Sequence, residues 1–380
     1  MAEVYLDNSA TTQTDPEVAA LISEVLTDCY GNPSSLHRKG FQAQLRLEQA
    51  RETLAELLDC RADEVYFTGS GSEANNLAIL GAAAAAVRRK GSLVVSAAEH
   101  SSVLAPFREL EKQGWQVAVV PPRADGAPDI SAIADAVRED TLLVSAMLVN
   151  SETGSVCDSK ALSKAVKGRN PKTLVHCDGV QGFCKLELSP AAAGVDFLSF
   201  SGHKIHAPKG VGGLYVKKGV RLLPLYYGGG QERNLRPGTE NVAFACGFAL
   251  AAQKMRQQRR QLAEIWTNLR SYFLENIKNL DRVCINSPEN GAPYIMNISL
   301  LGLRSETVIH FLEDREIYIS SGSACSKGAK SHVLASMGLE DRRVDSALRI
   351  SLGKYNTEQD IEALVQGLAQ ARQTLASREG

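Results

Sequence analysis

Between residues 64 and 216 the chain repeats one pattern: a short, almost continuously apolar run, a helical stretch, then another apolar run. The runs fall at 64–68, 93–97, 116–120, 141–149, 173–177, 195–200 and 213–216. A strand that is apolar on both sides has to be covered on both faces, and helices between successive strands supply that cover. The pattern predicts an α/β fold: a large domain with a mainly parallel seven-stranded sheet flanked by helices. In such a sheet the carboxyl ends of the strands face the ligand crevice. Residues just after each apolar run are therefore the place to look for chemistry.

The flanks fit this frame. Asp15-Pro16-Glu17 is a cap followed by a first-turn proline, and Val18, Leu21, Ile22, Val25 and Leu26 follow at helical spacing. A second amphipathic helix is expected over 41–58, and the alanine-rich run 77–87 reads as a buried helix, too short to span a bilayer. After Gly228-Gly229-Gly230 the texture changes to a long Gln- and Arg-rich helix over 239–278. Strands near 283–286, 294–300, 317–320 and 347–351, mixed with helices at 305–314, 331–337 and from Thr357, read as a smaller α+β C-terminal domain. The expected division is an N-terminal arm (1–14) joining the small domain, a large domain (15–250) and a small domain (251–380) carrying a loop at 320–332.

A chain of 380 residues has ample core for two domains, and a net charge of −1 gives no reason to expect nucleic-acid or membrane binding. Met1-Ala2-Glu3-Val4 lacks a basic, then apolar, export signal, so the cytoplasm is the expected compartment. The cysteines Cys29, Cys60, Cys157, Cys177, Cys184, Cys246, Cys284 and Cys325 show neither C-x-x-C nor zinc-type spacing. They are expected as reduced thiols, with no structural metal site.

Seven segments carry candidate chemistry. Ser201-Gly202-His203-Lys204 ends one apolar run and precedes a glycine-rich turn. Its lysine is placed to form an imine with an aldehyde cofactor. Ser201 and His203 can donate to a phosphate, and Gly202 leaves room for a ligand. Thr68-Gly69-Ser70-Gly71-Ser72-Glu73-Ala74-Asn75-Asn76 opens a helix with bare backbone N–H groups, a phosphate cup or else a plain capping box. Asp178-Gly179-Val180-Gln181 offers a carboxylate for a pyridinium nitrogen and an amide for a phenolate, or only a helix cap. In Glu99-His100-Ser101-Ser102 the histidine can stack on a flat ring and act as acid or base, and Asn150 ends another run with an amide. Among small residues at 320–328, Cys325 lies near Lys327 and Lys330, a setting that favours a reactive thiolate. Arg349, inside an apolar strand, needs an anion: a substrate carboxylate or a structural partner.

Together these residues resemble the cysteine desulfurases of the NifS/IscS type, in class V of the fold-type-I pyridoxal-phosphate enzymes. The match covers nearly the whole chain and includes Tyr5-Leu6-Asp7-Asn8-Ser9-Ala10-Thr11-Thr12, Gly31-Asn32-Pro33-Ser34-Ser35 and Arg236-Pro237-Gly238-Thr239. The resemblance implies a homodimer using pyridoxal 5'-phosphate to convert L-cysteine to L-alanine. Lys204 would hold the cofactor and move protons. Gly71, Ser72, Ser201 and His203 would bind its phosphate, with Thr239 reaching across from the partner subunit. Asp178 would pair with the pyridine nitrogen, Gln181 with the phenolic oxygen, and His100 would stack on the ring. Asn32, Asn150 and Arg349 would hold cofactor or substrate, with Arg349 on the carboxylate. Cys325 would take the sulfur as a persulfide and pass it to a protein acceptor, an iron–sulfur scaffold or a tRNA-thiolation enzyme.

Two departures stand out. The stretch from Cys325 to His332-Val333-Leu334 is about two residues shorter than in many such proteins, with Lys327-Gly328-Ala329-Lys330 in place of a Ser-Leu-Glu-Pro-like run, which leaves the acceptor open. Asn150-Ser151-Glu152-Thr153 replaces the usual Asn-Asn-Glu-Ile but keeps the asparagine. Competing readings are a selenocysteine lyase or another class V enzyme such as an aminotransferase, and a catalytically idle sulfur-relay protein.

Overall fold

The computed structural model describes residues 3–321 and 330–375. Among them the chain forms strands β1 (Val4–Tyr5), β2 (Val65–Thr68), β3 (Ser92–Ser96), β4 (Gln116–Val120), β5 (Thr141–Ser145), β6 (Leu174–Asp178), β7 (Phe197–Ser201), β8 (Gly212–Val216), β9 (Val283–Ile285), β10 (Ile295–Leu300), β11 (Ile317–Tyr318) and β12 (Ala347–Ser351). Seven of them make one sheet in the order β2-β8-β7-β6-β5-β3-β4. Pairings from β7 through β6, β5 and β3 to β4 are parallel, and only β8 runs against its neighbours. This is the mainly parallel sheet that the apolar runs predict. Every residue of β3, β7 and β8 is buried, whereas the edge strand β4 is partly open.

One run differs in extent. The 141–149 segment leaves the regular strand after Ser145. Its backbone still pairs with β6, since Ala146 N–H donates to His176 O and Leu148 N–H to Asp178 O. Val149 then bridges Val156 to close a turn. Asn150 causes that turn: its side-chain oxygen accepts from the N–H groups of Glu152 and Thr153, both at 2.9 Å.

The helices start where the caps predict. Asp15 accepts from Glu17 N–H ahead of the helix Pro16–Asp28, and Ser70 accepts from Glu73 N–H ahead of the helix Gly71–Ala85. The helix Val242–Ile277 runs beneath β7. There Phe248 joins Phe183 and Phe200 in a ring cluster, with centroids 4.6 to 5.8 Å apart. That cluster is the floor on which the end of β7 rests.

A second sheet, β12-β10-β9, is antiparallel and, with the helices Ser305–Glu313 and Glu358–Thr374, forms a smaller C-terminal α+β domain. The N-terminal arm joins it through β1, which pairs with β11. Among the described residues no helix is long and apolar enough to cross a membrane.

Candidate active site

The ends of β2, β3, β6 and β7, together with the turn after β5, open on a cavity of about 580 Å³. Each strand presents to it the residues just beyond its last apolar position, so side chains far apart in sequence meet there. Gly71, Ser72, His100, Asp178, Gln181, Ser201, His203, Lys204 and Arg349 all line it. Lys204 follows β7 in a short turn, Gly202–Lys204, and its Nζ donates to Ser9 O at 2.5 Å and to Ala10 O at 2.8 Å. Those two carbonyls belong to the N-terminal arm, which thereby becomes a wall of the cavity.

At the head of the helix Gly71–Ala85 the cap takes only one of the first-turn N–H groups, that of Glu73. The N–H groups of Gly71 and Ser72 have no acceptor within a helix and sit at the cavity wall. A Cβ on Gly71 would stand 2.6 Å from Val180 Cγ2 and 3.4 Å from Ser201 Cβ, so this helix end abuts the end of β7. Ser201 is buried, and its hydroxyl has no partner among the described residues. Glu73 caps the loop with Oε2 on Gly69 N–H at 2.7 Å, and its charge is met by Arg236 at 2.9 Å.

Gly202 has a different role from the one expected. A Cβ there would point at Ala207 Cβ and Val211 Cγ1, both at 3.0 Å, and at Phe248 Cδ2 at 3.2 Å. The missing side chain lets the turn sit on the core and makes no space for a ligand.

Asp178 is buried at the end of β6. Its Oδ2 accepts from Asn75 Nδ2 at 2.8 Å and its Oδ1 from Val180 N–H at 3.0 Å. The same Asn75 nitrogen donates to Ser102 Oγ at 2.9 Å, and that hydroxyl lies 2.7 Å from His100 Nδ1. Gln181 Nε2 donates to Ser9 O at 2.9 Å, while its buried Oε1 has no partner among the described residues.

Burial disfavours charge on the titratable groups of this pocket. Burial, reinforced by Lys204, Lys209 and Lys185, pushes His203 down to about 3. Burial also lowers His100; Lys204, His332 and Arg349 act in the same direction and Asp178 opposes them. Glu99 is fully buried. Burial and the charge of Asp178 push its carboxyl well above the usual range, against the pull of the Met147 N–H that donates to Oε1.

Arg349 lies on β12, with Nη2 on Asp7 Oδ1 at 2.7 Å and Nη1 on Ser151 O at 3.0 Å. Its Nε is buried and has no partner among the described residues. Of the two expectations for this residue, the structural ion pair is present, and the guanidinium also faces the cavity.

Asn32, Asn150 and Thr239 are not in the cavity wall. Asn150 is buried with its amide engaged in its own turn and on Ala98 O at 2.9 Å. Asn32 and Thr239 are exposed. Cys325 lies outside the described residues. Ser9, Ala10, Asn75, Glu99, Ser102 and His332, by contrast, line the cavity although the sequence gives them no role. Asn75 and Ser102 stand inside recognisable motifs, but only the fold brings them to Asp178 and His100.

Pyridoxal phosphate fits these residues. Buried atoms of Ser9, Asn75, Gln181 and Ser201 that have no partner among the described residues converge on one cavity, beside first-turn helix N–H groups for a phosphate, a buried carboxylate for a ring nitrogen and a lysine for the aldehyde. Among the described residues no cluster of His, Cys, Asp or Glu could hold a metal ion.

Comparison with known proteins agrees with this site. Residues 4–364 match the family described as aminotransferase class-V. Cysteine desulfurase IscS 1 of Archaeoglobus fulgidus is 35% identical over 367 residues, which is 96% of this chain and 95% of the relative. A solved structure titled as a NifS-like protein superposes with a TM-score of 0.94 at 35% identity, covering 98% of this chain and 100% of that one. Another, titled SspA in complex with cysteine, has a TM-score of 0.83 at 32% identity, over 94% of this chain and 100% of that one. The chain belongs to the class-V aminotransferase family of fold-type-I pyridoxal-phosphate enzymes, among its NifS/IscS-type cysteine desulfurases.

Proposed function

We propose that Lys204 and Cys325 carry the two halves of this cysteine desulfurase's reaction, with Arg349 on the substrate carboxylate and Asp178 paired with the cofactor's ring nitrogen. Pyridoxal phosphate, when bound, supplies an electron sink that labilises bonds at the α- and β-carbons of L-cysteine. Lys204 then moves protons at the substrate carbon. The Cys325 thiolate forms a sulfur–sulfur bond as the substrate's C–S bond breaks. The carbon keeps the bonding pair and takes up a proton, which yields alanine and leaves Cys325 oxidised to a persulfide. Ser201, His203 and the N–H groups of Gly71 and Ser72 hold the phosphate. The convergence of Lys204, Asp178, His100 and Arg349 on one cavity supports this reading most directly.

The enzyme acts as a homodimer in this reading. Asn32 and Thr239 are exposed in the single chain and serve the partner subunit's cavity. The persulfide sulfur goes to a protein of iron–sulfur assembly or tRNA thiolation.

The test is to incubate the holoenzyme with sulfur-labelled L-cysteine, without reductant, and map the label by mass spectrometry. The label is expected on the Cys325 peptide, with alanine released in equal amount. Alanine formation at the wild-type rate by Cys325→Ala would sink the assignment.

A further inference from the structure

The hydrogen bonds behind His100 decide where its proton sits. Asp178 Oδ2 can only accept, so Asn75 must turn its NH₂ group toward it, at 2.8 Å. The second hydrogen on that nitrogen goes to Ser102 Oγ at 2.9 Å. Ser102 therefore accepts from Asn75 and has its one hydroxyl proton left to give, with His100 Nδ1 at 2.7 Å. The backbone N–H of Ser102 also donates to Nδ1, at 3.1 Å, because His100 is the cap of the helix Ser101–Lys112. A backbone N–H cannot accept a hydrogen bond, so Nδ1 must present a lone pair. Its neutral ring then has only Nε2 on which to carry a proton.

We propose that Asn75 and Ser102 are positioning residues that lock His100 in its Nε2–H tautomer, so that within the cavity His100 donates a hydrogen bond from Nε2 and does not accept a proton. Taking a proton at Nδ1 would put two donors face to face and break the helix cap. The groups around the ring are Asp178 at the end of β6, Lys204 after β7, Arg349 on β12, His332 at the head of the helix His332–Ser336, and Glu99 just before it in the chain. Of these, Lys204, His332 and Arg349 oppose a second proton on His100, burial opposes it more strongly, and Asp178 alone favours it. Proton removal from the substrate then falls to Lys204, and His100 is left the role of hydrogen-bond donor. This deepens the proposed function and rests on it for the consequence; the tautomer itself comes from the hydrogen bonds.

The test is nitrogen-15 NMR of the holoenzyme labelled at histidine, with the His100 signals assigned by their loss in His100→Gln. A pyridine-like Nδ1 and pyrrole-like Nε2 are expected, unchanged from pH 8 to pH 6. An Nδ1–H tautomer, or a cation at pH 7, would overturn the proposal without any variant having to fold. Ser102→Ala keeps the backbone donor and loses the hydroxyl. The His100 titration and the acid limb of kcat should then move up by as much as about one pH unit with KM unchanged, and Ser102→Thr should restore both. An unmoved titration would remove Ser102 from the relay. His100→Gln, which also offers an N–H, should retain at least about ten times the activity of His100→Ala; equal activities would count against a donor role. If the functional reading is the part at fault, wild-type protein makes no alanine from cysteine while the tautomer stands.

Discussion

Arg349 Nη2 stands 2.7 Å from Asp7 Oδ1, joining strand β12 to the N-terminal arm inside the cavity wall. The guanidinium side chain is 3% exposed and the carboxylate 21%, so this is a largely buried pair with the arginine held at a fixed angle. Because Nη1 is also held, by Ser151 O, the cavity-facing guanidinium has little freedom to lose on meeting a carboxylate. Arg349→Ala should raise the KM for cysteine by about ten- to a hundredfold, the worth of charge-assisted hydrogen bonds. Steady-state alanine formation measures it; an unchanged KM would leave Arg349 with its structural role only.

Acid should unfold the protein through His176. This ring is fully buried between Ser145 Oγ at 2.8 Å and Ser199 Oγ at 3.1 Å, and burial lowers it from 6.5 to about 4, against the pull of Asp178. The native state therefore stays unprotonated down to about pH 4, while the unfolded chain takes up a proton near 6.5. Where the unfolded state binds more protons, stability falls as pH falls, so the loss runs from about pH 6.5 to 4 and is on the order of 3 kcal/mol for this group. Urea denaturation across that window should show a shallower pH slope in His176→Gln than in wild type. The slope is the readout, since the substitution also changes packing at every pH.

Thiol chemistry should be confined to few of the eight cysteines. Burial pushes Cys60, Cys157 and Cys184 up to about 12, Cys246 to about 11, and Cys177 well up. At pH 7.5 a thiol near 12 is thiolate on the order of one part in 10⁴ or less, and the thiolate is the reactive form. A brief pulse of iodoacetamide on the native holoenzyme should alkylate Cys325 before any of these five and abolish desulfuration. Peptide mapping at partial inactivation checks it, and modification of Cys60 or Cys157 in step with lost activity would contradict it.

The strand ends were legible because the chemistry needs them to be. Asp178 follows an apolar run directly and His100 and Lys204 lie within four residues of one, and an open α/β sheet turns such positions toward one crevice. Gly202 was misread because a glycine beside a lysine looks the same in sequence whether it makes way for a ligand or for Phe248, 46 residues later. The arm's part was hidden for a similar reason. Ser9 O and Ala10 O reach Lys204 across nearly two hundred residues through backbone carbonyls, which every residue carries. Asn75 and Ser102 carry no distinctive signal in the sequence, because side-chain amides and hydroxyls near a helix start usually serve as caps. Their partners are set by how helix Gly71–Ala85 lies against β6 and the end of β3, and no periodicity records that.

The loop that leads to Thr239 depends on a buried clamp. Glu232, Arg233 and Asn234 are consecutive non-glycine residues at φ of 43°, 55° and 62°, a left-handed run that local sterics disfavour. What holds it is Glu232, whose carboxylate takes both Arg51 Nη1 and Nη2 at 2.7 Å and also Phe67 N–H at 2.9 Å. With side chains 10% and 1% exposed, neither charge can be left alone cheaply. Glu232→Ala should therefore lower stability by about 3–5 kcal/mol, the usual result of stranding a buried charge. The released turn should also loosen Arg236 from Glu73 at the head of the helix Gly71–Ala85 and so weaken retention of pyridoxal phosphate. Replacing both partners, with Arg51→Met and Glu232→Leu together, should recover much of the stability, because no charge is then stranded. The same double change should not recover cofactor retention, since the left-handed turn loses the carboxylate that fastens it to Phe67 N–H. Urea denaturation and equilibrium dialysis on the single and double variants separate the two effects; full recovery of both would show that the turn needs no clamp.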